Sequence, residues 1–193
     1  MKNILVICGP SGVGKGTLIS YLMQEFPDKF GFSISHTNRE PRGTETNGVD
    51  YHFCSYEEFK NLISTDSFVE YAEVYNHFYG TSKRAIENII SQGKICLIDI
   101  DIQGVEQIQK SSFGNNAYYI GVLPKSKKDL EERLRKRKTE LDQVIQTRLT
   151  KSDREIEMIK NNPNIYKLVN DDLQTACNEI TELVKSYWSD ILE

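Results

Sequence analysis

Three features that would assign a class at once are missing from the 193-residue sequence: a long apolar run, paired cysteines and a strong net charge. No segment reaches the roughly 20 apolar residues that a membrane-spanning helix needs, so we expect no membrane span. The formal net charge is −4, whereas a general nucleic-acid scaffold needs a basic surface. The composition therefore favours a small ligand over a nucleic acid or a membrane.

The cysteines are few and far apart, and they form no CxxC pair: Cys8, Cys54, Cys96 and Cys177. This spacing is typical of reduced thiols. The start, Met1 to Cys8, is a short apolar run that ends at a Gly-rich turn, which does not resemble a signal peptide. We therefore expect a cytoplasmic chain whose residues 1–193 form one domain, a length that suits a single core.

Apolar runs of strand length alternate with helical patterns. Ile4 to Cys8 predicts a buried parallel strand, and the stretch from Lys15 to Phe26 has the apolar spacing of a helix. Further strand-length runs follow at Ile95 to Ile100, Tyr118 to Leu123 and Lys167 to Asn170, the last before an amphipathic helix. The alternation predicts an α/β fold with a parallel sheet flanked by helices, of the P-loop NTPase type.

Two segments interrupt this alternation. Residues 33–79 contain short aromatic runs and turn residues, which predict a small β-rich insert. Residues 126–161 are dense in Lys, Arg and Glu and carry leucines and isoleucines at helical spacing, which predicts a charged helical hairpin. The latter pattern also fits a solvated pair of helices without a further role.

A glycine-rich turn joins the first strand to the first helix. It fits the GxxxxGK pattern and consists of Gly9, Pro10, Ser11, Gly12, Val13, Gly14 and Lys15. Glycines let successive backbone N–H groups point at a phosphate, the helix start adds positive potential, and the lysine neutralises phosphate oxygens. The turn therefore predicts a site for the phosphates of a nucleoside triphosphate, but it does not name the reaction.

One position departs from the usual form of this motif. Gly16 stands where a Ser or Thr normally follows the lysine, and Thr17 comes one residue later. Because a glycine offers no side-chain oxygen to magnesium, two arrangements remain open. Either Thr17 approaches the metal or the phosphate, or water and ATP oxygens hold the ion.

The run from Cys96 to Gly104 ends an apolar strand in two acids, Asp99 and Asp101. Strand ends of parallel sheets are where ligands bind, and the alternation of a strand sends both carboxylates to the same side. Asp99 suits an acid that orients Mg²⁺ through water.

Several further segments carry a family resemblance: Ser33 to Arg42, Asn47 to Phe53, Phe68 to Tyr71, Tyr79 to Thr81, and Val169 to Leu173. In order and spacing they resemble the guanylate kinase family, from the phosphate loop to the last helix. The resemblance implies a CORE formed by residues 1–32, 80–125 and 162–193, a GMP-binding insert at 33–79, and a LID at 126–161 that closes on ATP.

The chemistry of the insert agrees with a GMP acceptor. Arg39 and Arg42 can grip a dianionic phosphate through charge-assisted hydrogen bonds, while Tyr51 and Tyr79 donate hydroxyls. Guanine presents N1–H and N2–H donors together, so a selective site needs a carboxylate, for which Glu70 is the candidate, and we expect a donor partner for it. The resemblance adds residues to the acceptor site: Ser35, Gly80, Thr81 and Asp101.

The resemblance also supplies residues on the donor side. It implies that Arg133, Arg137 and Arg148 bring positive charge to the triphosphate when the lid closes, and that Asn170 and Asp171 lie near adenine. Arg133 and Arg137 are four residues apart, so one helix face would present both. Lys138 replaces a glycine that is usual in the family. A helix N-cap is the competing interpretation for Asp171 or Asp172.

The expected function is transfer of the γ-phosphate of MgATP to GMP, and to dGMP, giving ADP and GDP. Two alternatives stay open. Guanylate-kinase-like domains of scaffold proteins bind other proteins and usually lose the phosphate loop, and a related kinase could accept another nucleoside monophosphate. The sequence leaves open whether the chain is a monomer or a homo-oligomer.

Overall fold

The computed structural model describes residues 2–74, 76–136 and 142–192. In chain order the elements are β1 Ile4–Cys8, α1 Lys15–Glu25, β2 Phe30–Phe32, β3 His36–Thr37, β4 His52–Phe53, α2 Tyr56–Ser64, β5 Phe68–Val74, β6 His77–Ser82, α3 Lys83–Ser91, β7 Ile95–Ile100, α4 Ile102–Lys110, β8 Ala117–Pro124, α5 Lys127–Lys136, α6 Asp142–Asn161, β9 Tyr166–Asn170, α7 Leu173–Tyr187 and α8 Ser189–Leu192.

The larger sheet is parallel and lies at the centre of the fold. Its five strands run in the order β2-β7-β1-β8-β9, and all neighbouring pairs are parallel. Every residue of β1 is buried, which explains why this strand is apolar throughout rather than alternating. The predicted α/β fold is confirmed, and the carboxyl ends of β1, β7 and β8 meet at one edge.

Two hydrophobic cores cover the two faces of this sheet. Leu5 and Ile7 of β1 pack in one core with α1 and α7, whereas Ile4, Val6 and Cys8 pack in the other with α3 and α4. The period of two along the strand thus divides one short run between both cores. All four cysteines are free.

The predicted insert holds a second, smaller sheet. Its four strands run in the order β4-β3-β6-β5 with mixed direction, and β6 continues to Ser82, past the end of the expected segment. The insert also contains α2, a helix that the sequence analysis did not predict. Ser55 and Glu58 form a capping box at its start, a signal that was present in the sequence.

The charged segment forms two helices within the described residues, α5 and α6. Leu130 and Leu134 of α5 and Ile145 and Leu149 of α6 are buried in the core that also holds α1. Arg137, named in the sequence analysis, lies outside the described residues. In the part of the chain that the structure covers, none of the helices has the length and apolar character needed to cross a bilayer.

Candidate functional site

The phosphate loop, Gly9 to Lys15, leaves β1 at the carboxyl edge of the sheet and leads into α1. Gly14 has φ of 106°, in the left-handed region that favours glycine. A Cβ added at Gly14 would overlap the side-chain nitrogen of Asn170, so the position has no room for a larger residue. A Cβ added at Gly16 would meet nothing within 4 Å. The loop therefore requires a glycine at position 14, whereas position 16 has room for a side chain.

Lys15 is held at the mouth of this loop. Its Nζ donates to the Gly9 carbonyl oxygen at 2.8 Å and lies 3.6 Å from Asp99 Oδ1. Asp99 stands near the end of β7, beside β1, so the parallel pairing brings the two side chains together. Desolvation raises the pKa of Asp99, and Lys15 opposes that rise. The positive charge of the lysine therefore offsets part of the desolvation of this acid.

The far side of the loop is held by residues predicted for the donor site. The Val13 carbonyl oxygen accepts from Asn170 Nδ2 at 2.8 Å and from Arg133 Nη1 at 3.1 Å. Arg133 Nη2 also donates to the carbonyl oxygens of Asn170 and Asp171. Asn170 is buried, so in this structure its side chain shapes the loop.

Arg148 of α6 reaches the same loop, because its Nη1 donates to Ser11 Oγ. Asp171 forms an ion pair with Lys125 at 2.9 Å, while Asp172 caps α7 by accepting from Thr175 N. The N-cap role, which the sequence left open between the two acids, thus belongs to Asp172. Arg137 lies outside the described residues.

A cavity of about 690 Å³ adjoins the phosphate loop. Thr17, Ser20, Tyr51 and Asp99 line it together with the loop. Among the described residues, no group of three or more His, Cys, Asp or Glu side chains converges in a way that could hold a metal ion. The cavity does offer the oxygen atoms of Thr17 and Asp99. These few protein oxygens fit Mg²⁺, which keeps water and phosphate oxygens as most of its ligands.

Arg39 is the centre of the predicted phosphate clamp. Its side chain is buried, and its guanidinium donates to Glu45 through two bonds of 2.8 and 3.0 Å. Nε donates to the Tyr79 hydroxyl at 3.2 Å, and the guanidinium carbon lies 5.1 Å from the Tyr51 ring centre. These contacts fix the orientation of the Arg39 guanidinium group in the absence of a ligand. Arg42, by contrast, is exposed.

Glu45 was missed by the sequence analysis. It accepts both Arg39 bonds and also the backbone N–H of Arg42 at 2.8 Å, so it ties the two clamp residues together. The hydrogen bonds from Arg39 are the main cause that lowers the pKa of Glu45. The available signal was an acid within the loop of the two arginines, although its spacing matches no regular element.

Glu70 of β5 is buried, as its apolar neighbours suggested. Its Oε1 accepts from the Thr81 hydroxyl at 2.5 Å, which confirms the expected donor partner. Burial raises the pKa of Glu70 to about 7, while the bond from Thr81 works against this rise. Ser35 lines the same pocket, and Gly80 lies beside Phe68 and Phe59, where a Cβ would be tight.

Asp101 stands opposite, at the N-cap of α4. Its Oδ1 accepts from the backbone N–H groups of Gln103 and Gly104. Its Oδ2 lies 3.3 Å from Lys151 Nζ, and that lysine is also 3.4 Å from Glu155 Oε1. Sequence reasoning passed over Lys151, because a single lysine in a highly charged helix gives no distinctive pattern.

The pocket lined by Glu70 and Asp101 measures about 260 Å³, and it shares three lining residues with the cavity at the phosphate loop: Lys15, Tyr51 and Asp99. The two spaces therefore adjoin where the lysine stands. A larger cavity of about 780 Å³ is lined by residues such as Lys2, Tyr118 and Tyr187, and it contains none of the predicted site residues. Size alone thus does not identify the site of chemistry.

A glycine-rich loop between a central parallel strand and a helix defines the class of P-loop nucleotide-binding proteins. The sequence profile of the guanylate kinase family matches residues 1–187. The chain therefore belongs to the guanylate kinase family.

Curated relatives differ in length. Guanylate kinase 1 of Oryza sativa subsp. japonica is 46% identical over 93% of this chain, but the match covers 47% of the rice protein. The chain thus spans about half the length of this plant relative. The guanylate kinases of Schizosaccharomyces pombe and Homo sapiens are 42% and 41% identical, over 94% and 92% of this chain, and the match covers 90% of each of them.

A solved structure supports the fold. The crystal structure of guanylate kinase from Anaplasma phagocytophilum matches with a TM-score of 0.72 and 28% identity, covering 96% of this chain and 86% of that one.

Proposed function

We propose that this chain is an ATP:GMP phosphotransferase, which moves the γ-phosphate of MgATP to GMP or dGMP and releases ADP and GDP. The observation that carries this proposal is the junction of two cavities at Lys15, Tyr51 and Asp99. One cavity is wrapped by the phosphate loop, and the other lies between a phosphate clamp and two carboxylates. The names of the curated relatives support the same activity.

On the donor side, the backbone N–H groups of the phosphate loop bind the β-phosphate and Lys15 bridges the β- and γ-oxygens. Asn170 and Asp171 lie behind the loop, where the adenine of ATP would stand. Thr17 and Asp99 would hold Mg²⁺, Asp99 through water. When bound, this ion neutralises charge on the triphosphate.

On the acceptor side, Arg39, Arg42, Tyr51 and Tyr79 bind the GMP phosphate. Glu70 and Asp101 accept the guanine N1–H and N2–H donors, and Ser35, Gly80 and Thr81 complete the pocket. Adenine presents a bare N1 at the same edge, so these carboxylates would face it without a donor. Guanine selection follows from this mismatch.

The reaction is an in-line displacement. A GMP phosphate oxygen attacks the γ-phosphorus, a new P–O bond forms, and the bond to the β,γ-bridging oxygen of ATP breaks. The attacking oxygen is already anionic at neutral pH, so no general base is needed. The protein's contribution is positioning, neutralisation of charge and exclusion of water.

We assign residues 126–161 as the LID, residues 33–79 as the GMP-binding insert and the rest as the CORE. Arg133 and Arg148 contact the phosphate loop from α5 and α6. They would therefore deliver positive charge to the γ-phosphate, together with Arg137, when the LID closes on ATP. The four free thiols suit a cytoplasmic protein.

The first test is ADP production from MgATP, with GMP, dGMP, AMP, UMP and CMP offered separately to the purified chain. Turnover confined to the guanine acceptors is expected. Turnover with AMP or UMP would retain phosphoryl transfer and discard the guanine assignment. No turnover with any acceptor would favour a protein-binding module, which the presence of Lys15 and Arg39 argues against.

A further inference from the structure

Acidic side chains are concentrated around the pocket proposed for guanine. Glu70 and Asp101 both line it, and Glu155 lies behind Asp101 on α6. A Cβ built on Gly104 would be 2.9 Å from Glu70 Oε2, so this carboxylate rests against the first turn of α4, which Asp101 caps. Because guanine carries no charge, a cation for these acids has to come from the protein, and Lys15, which also lines the pocket, is paired with Asp99.

Lys151 is placed to supply that cation. Its Nζ lies between Asp101 Oδ2 at 3.3 Å and Glu155 Oε1 at 3.4 Å. The Glu155 side chain is 8% exposed and that of Asp101 is 19% exposed, so water screens these charges only in part. Lys151 belongs to α6, in the segment assigned as the LID, whereas Asp101 caps a helix of the CORE.

The two carboxylate oxygens of Asp101 have different hydrogen-bond partners. Oδ1 is occupied by the two backbone N–H groups at the start of α4, which leaves Oδ2 to face the pocket. An ionised carboxylate offers about four lone-pair sites, so Oδ2 can accept from Lys151 and from guanine at once. The ammonium would thus hold this oxygen in place without competing for its last acceptor site.

We propose that Lys151 is a positioning residue for acceptor specificity, which holds Asp101 Oδ2 toward the guanine edge and compensates the charge of the carboxylates around it. This inference rests on the proposed function, because it assumes that guanine occupies the pocket. It adds a residue of α6 to acceptor recognition, so the segment that closes on the donor also takes part in reading the acceptor base.

The test compares Lys151→Met and Lys151→Arg with the control Lys160→Met. Lys160 is exposed on the same helix, and its substitution makes the same charge change. We expect Lys151→Met to raise KM for GMP about fivefold, an effect typical of a lost ion pair, with KM for ATP unchanged. Lys151→Arg should stay within about twofold of the original chain, since it keeps the cation.

Inosine monophosphate, which lacks the 2-amino group of guanine, gives a second measurement. The ratio of kcat/KM for GMP to that for inosine monophosphate should fall in Lys151→Met, because Asp101 no longer reads the guanine edge in a fixed position. An unchanged ratio together with an unchanged KM for GMP would overturn the inference. Absence of GMP turnover in the original chain would instead overturn the proposed function.

A double-mutant cycle then separates action through Asp101 from a general effect on α6. If Lys151 works through Asp101, the double variant Lys151→Met with Asp101→Asn should have the same KM for GMP as Asp101→Asn alone. If the two fold-changes multiply instead, the lysine acts independently of that carboxylate and the assignment is wrong.

Discussion

The donor and acceptor halves of the site are built in different ways. The phosphate loop is shaped by backbone, with glycines in conformations that other residues avoid and with Asn170 and Arg133 bonded to the Val13 carbonyl. The pocket proposed for the acceptor is shaped by side chains on a small sheet, where the buried ionisable groups Arg39 and Glu70 are held by Glu45 and Thr81. A loop of backbone N–H groups can bind the phosphate of any nucleotide, whereas pairs of side chains can distinguish one base from another.

The largest expected effect concerns Lys15, one of the three residues that line both cavities. Lys15→Ala should lower turnover by two to three orders of magnitude, roughly what the loss of one aimed charge costs in a closed site. The fold should persist, since Lys15 is not part of either hydrophobic core. ADP release and circular dichroism are the measurements, with the exposed Lys29→Ala as the control. Near-normal turnover with an intact spectrum would contradict the assignment.

The dependence of the donor half on backbone can be tested with two glycines. Gly14→Ala should lower the free energy of unfolding by about 2–3 kcal/mol, because alanine is strained at this φ and its Cβ overlaps Asn170. Gly16→Ala lies in open space inside a helix and should leave the stability unchanged or raise it by up to about 1 kcal/mol. Urea unfolding measures both, and equal stabilities would refute this account of the loop.

The buried carboxyl group of Glu70 in the acceptor half predicts a dependence of stability on pH. The pKa of Glu70 is about 7, raised from an ordinary value of 4.5, so between these pH values the folded chain keeps a proton that the unfolded chain releases. The free energy of unfolding contributed by this group therefore falls as pH rises through that window, by at most about 1.4 kcal/mol per pH unit.

Glu70→Gln should remove this contribution and flatten the dependence of stability on pH. Glu73→Gln, an exposed change on the same strand, should keep the original slope. Thermal unfolding from pH 4.5 to 7, without ligand, compares the three chains. Parallel curves for the original chain and Glu70→Gln would show that the carboxyl titrates normally.

The smallest effect is expected for the ion pair between Arg39 and Glu45, because the Glu45 side chain is partly exposed to water. Glu45→Gln replaces the double ion pair to Arg39 with a neutral contact and should raise KM for GMP about fivefold, while KM for ATP stays the same. Glu40→Gln is the matched control, because Glu40 contacts Arg39 through its backbone carbonyl oxygen and its side chain is exposed. An equal rise in both variants would rule out a specific role for Glu45.

The amino-acid pattern determined the α/β fold, the position of the phosphate loop and the candidates on both sides of the site. These features depend on neighbours in sequence: an apolar run, glycines at fixed spacing, acids at a strand end. The pattern also carried the capping box of α2, although the helix itself was not predicted.

Only the tertiary structure decided which charges meet. Glu45 lies six residues from Arg39 in an irregular loop, and Lys151 lies fifty residues from Asp101, so neither pair follows a helix or strand period. The same holds for Asn170, which reaches the phosphate loop only because β9 and β8 extend the sheet beside β1. Local spacing fixes which side chains a segment presents, whereas the crossing of distant segments fixes their partners, and those partners set the charge of the site.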